Sequence, residues 1–382
     1  MNSIRRHCGS AALLLLSLAA AQATSAAESG GDAAAMIAQY GLREASEPVS
    51  ARQGWRRPSR VVVDASVPGL TEALRQRFAS ASPSVEFIAV GSSGDMAGAL
   101  QGAEVAIGRN GFVCDDRLLA AGRELRWLQT LSSGVELCAG RRALAERDIL
   151  LTNMRAISGP VIAEHAIAML LALSRGLHVS VTRQVSEDWN EDFPGTRLTT
   201  LSGKTLLVVG LGGIGGDIAK RAHALGMRVI ATRATRQAKP DYVDYVGLPD
   251  ELAALIPQAD AVVNAAPLTP ATRGLFDAQL FAKMKRTAYF INVARGQAVV
   301  TADLVAALGS GQIAGAGLDV TEPEPLPRGH PLWRAPNLLL TPHMSGSSTD
   351  GGVPQLAVVI ENLRRYLAGE RMLSVVDIDR GY

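Results

Sequence analysis

Three short segments in the last third of the chain carry side chains whose types and order could do chemistry. "INVARGQAVV" (291–300) places Arg295 just past an apolar run, "GAGLDVTEPEPLP" (315–327) carries Asp319, Glu322 and Glu324, and "LLLTPHMSG" (338–346) carries His343. A guanidinium is a planar fork that matches a carboxylate through two hydrogen bonds, so Arg295 could clamp an anionic substrate. An imidazole gives or takes a proton near neutral pH, so His343 could be a general acid in one direction and a general base in the other. A carboxylate from the Pro-rich loop, Glu322 or Glu324, could hold the second ring nitrogen and favour positive charge on it. A lone histidine is more often structural, and His7, His165, His178, His223 and His330 are read that way.

A second motif lies upstream. "VVGLGGIGGDIAKRAHALG" sets Gly210, Gly212 and Gly215 in G-x-G-x-x-G spacing between an apolar run and a helical pattern. The first glycine permits a tight turn, the second lets backbone approach a pyrophosphate, and the third packs helix on strand. Phosphate charge then meets the free N–H groups of a helix N-terminus, here Gly213, Ile214 and Gly215. NAD would be anchored by an acidic residue about 20 positions on, at the ribose 2′-hydroxyl. That place reads "VIATRATRQ", with Arg233, Thr235 and Arg236 and no carboxylate. Arginines there suit a 2′-phosphate, so NADP(H) is favoured and NAD(H) is possible.

The elements that must hold these groups are written as two series. Apolar runs at 60–64, 85–90, 104–108, 126–131 and 149–153 alternate with helix-like stretches. After a long helical pattern at 159–184, a second series begins at 203–210 and continues through 227–233, 259–266, 288–294, 313–320 and 337–343. A helical pattern at 351–370 follows. Strands alternating with helices predict an α/β fold with two doubly wound parallel sheets. The chain of 382 residues is long enough for two cores.

The order "GLGGIG", "PLTPATRGLF" (267–276), "NVARG", "GLDVTEPEP" and "TPHMSG" resembles the D-isomer-specific 2-hydroxyacid dehydrogenase family over roughly residues 60–382. "HPLW" (330–333) and the Arg233 region resemble its glyoxylate/hydroxypyruvate reductase branch. The resemblance implies a Rossmann cofactor domain (155–348) inserted into a flavodoxin-like substrate domain (60–154 and 349–382), with hydride transfer between NAD(P)H and a 2-keto acid in the cleft between them. It implies Arg295, Glu324 and His343 as the catalytic trio, with Glu324 rather than Glu322 on the imidazole. It further implies Asp319, Ala294, Pro267 and Thr272 near the cofactor. "LSSGVELC" (131–138) matches the family's substrate loop, with backbone N–H groups of Ser133, Gly134 and Val135 facing the substrate carboxylate opposite Arg295. A homodimer joined through the cofactor domain is expected, with the segment around Trp189 a candidate contact. Gly213 stands where many relatives carry a basic residue beside the pyrophosphate. Alternatives on the same scaffold are phosphite oxidation and a dinucleotide-sensing protein without turnover, whereas the formate-oxidising relatives carry an amide where Glu324 stands.

Charge and cysteine content narrow the partners. Basic and acidic residues number 38 and 36, which gives no signature of a nucleic-acid or anionic-membrane surface. Residues 1–27 have the parts of a secretory signal: Arg5 and Arg6, an apolar stretch from Ala11 to Ala21, and small residues before Ala27. The stretch is too short to span a membrane, and no span is expected in the mature chain. A periplasmic or secreted protein is expected if the signal is used, and a cytoplasmic one if translation starts at Met36. The arginine pair permits export of a folded, cofactor-loaded protein. Residues 28–59, polar and Arg-rich, read as a flexible lead-in. Cys114 and Cys138 read as ordinary buried thiols, since their spacing fits no zinc pattern, and no metal site is expected.

Overall fold

The computed structural model describes residues 30–91, 96–138, 140–193, 195–348 and 352–378. The signal-like leader lies outside the described residues. The described residues divide into two compact units, with the boundaries after residues 157 and 347.

The first unit is built on five parallel strands: β1 (Arg60–Asp64), β2 (Glu86–Val90), β3 (Val105–Gly108), β4 (Trp127–Thr130) and β5 (Leu150–Thr152). Their order is β2-β1-β3-β4-β5, the doubly wound flavodoxin-like order. Side chains alternate across the sheet, so Val61 and Val63 enter one core and Val62 the other. Helix Gly352–Ala368 returns to this unit. Its Asn362 amide donates to Gln129 Oε1 (2.9 Å) and to the Leu373 carbonyl (3.1 Å), and Tyr366 stacks on Trp127 with ring centroids 4.9 Å apart. A buried polar group tolerates that position only because its bonds are made.

Residues 30–59 of the lead-in pack against the first unit. A helix spans Gly30–Tyr40, Leu42 and Val49 are buried, and Glu44 bridges Leu373 in antiparallel pairing. Glu44 also pairs with Arg365 at 2.7 Å, and Trp55 Nε1 donates to the Tyr366 carbonyl. The polar composition concealed this because a few apolar residues at wide spacing do the packing. The cysteine reading also needs correction: Cys114 and Cys138 form a disulfide, with Cα atoms 5.1 Å apart. Their spacing of 24 residues carries no pairing signal; two successive βα turns bring them together.

The second unit has seven parallel strands: β6 (Thr205–Val209), β7 (Arg228–Thr232), β8 (Tyr245–Gly247), β9 (Ala261–Asn264), β10 (Tyr289–Asn292), β11 (Gly315–Leu318) and β12 (Leu338–Leu340). Their order is β12-β11-β10-β9-β6-β7-β8. Strand β8 was not legible, since three residues with one buried position show no alternation. Cores cover both faces, as parallel sheets require: Leu206 and Val208 face one, Leu207 and Val209 the other. The strand order reverses between β6 and β9, and such a switch point opens a crevice at the carboxyl ends of the strands.

The long helical pattern at 159–184 is two helices, Gly159–Ser174 and Leu177–Val185, bent by 74°. Gly176 at the corner has φ +67°, and a Cβ there would meet Leu198 at 2.8 Å. The first helix buries nine residues in the core; the second buries none. Among the described residues no single helix is long and apolar enough to cross a membrane.

Candidate active site

The carboxyl ends of the strands in the second unit carry the residues singled out above. After β6, Gly210 has φ +96°, and a Cβ there would sit 2.6 Å from Ala266 Cα. The β6 and β9 turns are thus pressed together at the switch point, where only glycine fits. A Cβ on Gly215 would lie 2.0 Å from the Gly210 carbonyl oxygen. Gly212 caps the helix Gly213–Ala224, so the N–H groups of Gly213, Ile214 and Gly215 belong to its first turn. Ile214 packs on the core beneath.

Arg233 follows β7. Its Nη1 reaches Gln237 Oε1 and the Ala238 carbonyl at 3.4 Å each, while its Nε is buried with no hydrogen-bond partner among the described residues. Thr235 Oγ1 accepts from Gln237 Nε2 at 3.2 Å, and Arg236 is exposed on the same turn. A buried donor without an acceptor costs free energy, which an anionic oxygen would recover. The glycine cradle and this unpaired Nε both fit a dinucleotide with an added phosphate.

Buried asparagines end β9 and β10. Asn264 Oδ1 accepts from Ala266 N at 3.2 Å, and Asn264 Nδ2 donates to Asn292 Oδ1 at 3.1 Å. Asn292 Oδ1 also accepts from Ala294 N, and its Nδ2 donates to the Arg295 carbonyl at 2.9 Å. These side chains fix the turns that present Pro267 and Arg295. Reading by residue type missed them because an asparagine ending an apolar run resembles an ordinary turn signal. Arg295 Nη1 donates to the Ala294 carbonyl at 2.6 Å. Thr272 Oγ1 donates to the Pro267 carbonyl at 2.6 Å and accepts from Thr269 N, closing that loop.

Gly296 binds the arginine turn to the glutamate loop: a Cβ on it would lie 2.0 Å from the Thr321 carbonyl oxygen. Glu324 follows, and its Oε1 is 2.5 Å from His343 Nδ1. Glu322 instead offers its carbonyl to Thr301 Oγ1, so the structure places Glu324 on the imidazole. Both members of the pair are partly exposed, at 45% for His343 and 38% for Glu324. Arg295, Glu324 and His343 therefore all end strands or follow them on one edge of one sheet.

Asp319 ends β11 with no exposed side-chain surface. Its Oδ1 accepts from Thr341 Oγ1 (2.6 Å) and Met344 N (2.9 Å), its Oδ2 accepts from Ser345 N (2.9 Å), and its carbonyl accepts from His343 N (2.8 Å). Burial pushes the carboxyl pKa up, but the bonds from Ser345, Thr341 and Met344 outweigh it and hold it below the ordinary value. His343 has φ +52°, a left-handed conformation costly for a non-glycine residue. The wrap of residues 341–345 around Asp319 holds it there. His165 Nε2 adds a contact to Thr341 Oγ1 at 2.9 Å, so this histidine, read as structural, stands behind the loop.

The loop 131–138 belongs to the first unit. Ser133 Oγ donates to the Met154 carbonyl (2.9 Å), Asn153 Nδ2 donates to the Ser133 carbonyl (2.8 Å), and Asn110 Nδ2 donates to the Gly134 carbonyl. The N–H groups of Ser133, Gly134 and Val135 donate no hydrogen bond among the described residues. Unpaired N–H groups are donors open to an anion.

The chain is similar to known proteins over most of its length. Residues 167–345 match the family described as D-isomer specific 2-hydroxyacid dehydrogenase, NAD binding domain. A glyoxylate reductase/hydroxypyruvate reductase of Mus musculus is 35% identical over 276 residues, covering 70% of this chain and 84% of that one. A D-isomer specific 2-hydroxyacid dehydrogenase family protein of Aeromonas salmonicida superposes with a TM-score of 0.72 at 30% identity, over 85% of this chain and all of that one. An NADPH-dependent glyoxylate/hydroxypyruvate reductase of Sinorhizobium meliloti, solved with NADP and sulfate, gives 0.69 at 27% identity, over 85% of this chain and all of that one. The chain belongs to the D-isomer-specific 2-hydroxyacid dehydrogenase family.

Proposed function

We propose that this protein is an NADPH-preferring reductase of small 2-keto acids, of the glyoxylate and hydroxypyruvate type, forming D-2-hydroxy acids. The observation that carries the reading is the His343–Glu324 pair at 2.5 Å on the sheet edge that also carries Arg295 and the glycine turn. When bound, the reduced nicotinamide supplies the hydride. Arg295 clamps the substrate carboxylate, and in the first unit the N–H groups of Ser133, Gly134 and Val135 support the reading of loop 131–138 as a carboxylate-binding loop. His343, held at Nδ1 by Glu324, gives the proton on Nε2 to the keto oxygen as negative charge develops there. Hydride to carbon and proton to oxygen complete the alcohol, and a neutral imidazole remains to take a proton in the reverse direction.

The preference for NADP(H) rests on Arg233, whose buried Nε lacks a partner, and on the absence of a carboxylate at the end of β7. The Sinorhizobium meliloti relative, solved with NADP, supports the same choice. Hydroxypyruvate reduction with NADPH and with NADH, in the wild type and in Arg233→Ser, tests it. NADPH is expected to be the better cofactor, and Arg233→Ser to lose most of that advantage. Equal use of both by the wild type would contradict it.

Two further features belong to this reading. Leu177, Val181 and Val185 recur every four residues on one helix and are exposed, as is Trp189. An apolar stripe of that kind is costly in water and supports a homodimer formed through this segment, which sedimentation of Val181→Glu against the wild type tests. The form of residues 1–27 supports export, and the Cys114–Cys138 disulfide suits an oxidising compartment. A folded export route would carry the cofactor along. Fractionation of cells making the full chain decides between periplasm and cytoplasm.

A further inference from the structure

The loop 131–138 is fastened from two sides. On one side Ser133 is tied to Met154 and Asn153, next to β5. The other side is fastened to the helical turn Asn110–Val113 and the residue that follows it, and through Arg141 to Asp116. Asn110 Nδ2 holds the Gly134 carbonyl, Thr130 Oγ1 orients that amide by donating to its Oδ1, and Cys114 N bonds back to the Asn110 carbonyl at 3.0 Å. The disulfide then joins Cys114 to Cys138, the last residue of the loop.

Val135 anchors this half in the core, and Arg141 donates to the Leu137 carbonyl (3.1 Å) and pairs with Asp116 (2.6 Å); the disulfide adds the one covalent tie to the Asn110 turn. Within this half, Cys138 N donates to the Val135 carbonyl at 2.9 Å, a bond internal to the loop. Leu137 is 53% exposed, and a groove of about 350 Å³ runs between the loop and the Asn110 turn, bordered by Gly111, Asp116, Leu137 and Arg141. Cys114 and Cys138 are themselves 2% and 1% exposed, so the sulfur bridge lies in the floor beneath that groove. A four-residue helical turn has no stability of its own and takes its place from what it is attached to. The bridge therefore fixes the Asn110 turn and the loop to each other, and with them the direction of the Ser133–Val135 N–H groups.

We propose that Cys114 and Cys138 are positioning residues for the substrate carboxylate: oxidised, they preorganise the loop, and reduced, they release it. The inference rests on the assignment of this loop to the substrate under the proposed function. In forming the bridge the two thiols give up two electrons and two protons to an incoming disulfide, which departs as two thiols. Opening it consumes a dithiol, which departs as its disulfide, or a phosphine and one water, which depart as the phosphine oxide while the two sulfurs become thiols. The loop serves the carboxylate in ground state and transition state alike, so its loosening raises KM and leaves kcat nearly unchanged. The cofactor turn and Arg233 lie in the other unit, so NADPH affinity stays as it was.

The test compares the oxidised protein, the protein reduced with a phosphine and checked by thiol counting, and the Cys114→Ala/Cys138→Ala variant. Reduction is expected to raise KM for the keto acid roughly fivefold to twentyfold, with kcat and the NADPH Kd within about twofold. The variant should match the reduced protein and ignore reductant, and reoxidation with oxidised glutathione should restore the low KM. Hydrogen exchange of residues 131–138 should quicken on reduction more than that of any strand of the same sheet. An unchanged KM at full thiol count overturns the proposal, as does a parallel loss of kcat and NADPH binding. If no 2-keto acid turns over in either form, the functional reading fails separately. Exchange at 131–138 then still decides whether the bridge positions the loop, and unchanged exchange overturns that.

Discussion

At the scale of single residues, the site separates groups that meet substrate from groups that hold them. Arg295, Glu324 and His343 were legible because guanidinium, carboxylate and imidazole are the few side chains able to clamp a carboxylate and move a proton. Asn264 and Asn292 were not, because their work is done by hydrogen bonds to backbone atoms two and three residues away. Lysine at position 295 keeps the charge but loses the fork. Arg295→Lys is therefore expected to raise KM for the keto acid by roughly one to two orders of magnitude, with NADPH binding retained. Steady-state kinetics beside a fluorescence titration of NADPH checks this. Asp319 shows how a residue acts through others, since its buried carboxylate receives Thr341 Oγ1 and two backbone N–H groups.

Elements were readable where their pattern was long. All strands but β8 and the C-terminal helix fall where apolar runs or helical periodicity placed them, because strands buried on both faces leave continuous apolar stretches. The break at Gly176 was not readable, since an isolated glycine inside a helical pattern is tolerated. The turn between β6 and its helix gives a sharp prediction. A methyl on Gly215 would meet the Gly210 carbonyl oxygen at 2.0 Å, so Gly215→Ala is expected to abolish NADPH binding while the sheet survives. Circular dichroism with a binding titration separates these two effects. The 341–345 loop gives a pH dependence. The folded-state pKa of Asp319 lies below its ordinary 3.8, so its contribution to stability is complete above that value and is lost as pH falls through the lower folded value. The urea midpoint of the wild type should exceed that of Asp319→Asn at pH 7, by about 1–3 kcal/mol of stability, and the gap should close below about pH 3.8. A gap independent of pH would contradict the role given to the carboxylate.

The whole molecule is two doubly wound units, and its less legible features are long-range ones. The Cys114–Cys138 bridge and the packing of residues 33–59 beside the C-terminal segment both join parts distant in sequence, which neither composition nor periodicity encodes. The bridge closes a loop of 24 residues, so its removal is expected to cost about 3 kcal/mol of stability, measured as the urea midpoint of Cys114→Ala/Cys138→Ala against the oxidised wild type. The central claim concerns the trio on the sheet edge of the second unit. The most direct measurement is the loss of NADPH absorbance by residues 28–382 offered glyoxylate or hydroxypyruvate, in the wild type and in His343→Ala. The account predicts steady turnover by the wild type and a kcat lower by roughly two to four orders of magnitude in His343→Ala, with NADPH still bound. Tight NADPH binding without turnover in the wild type, or turnover unaffected by the loss of His343, would contradict it.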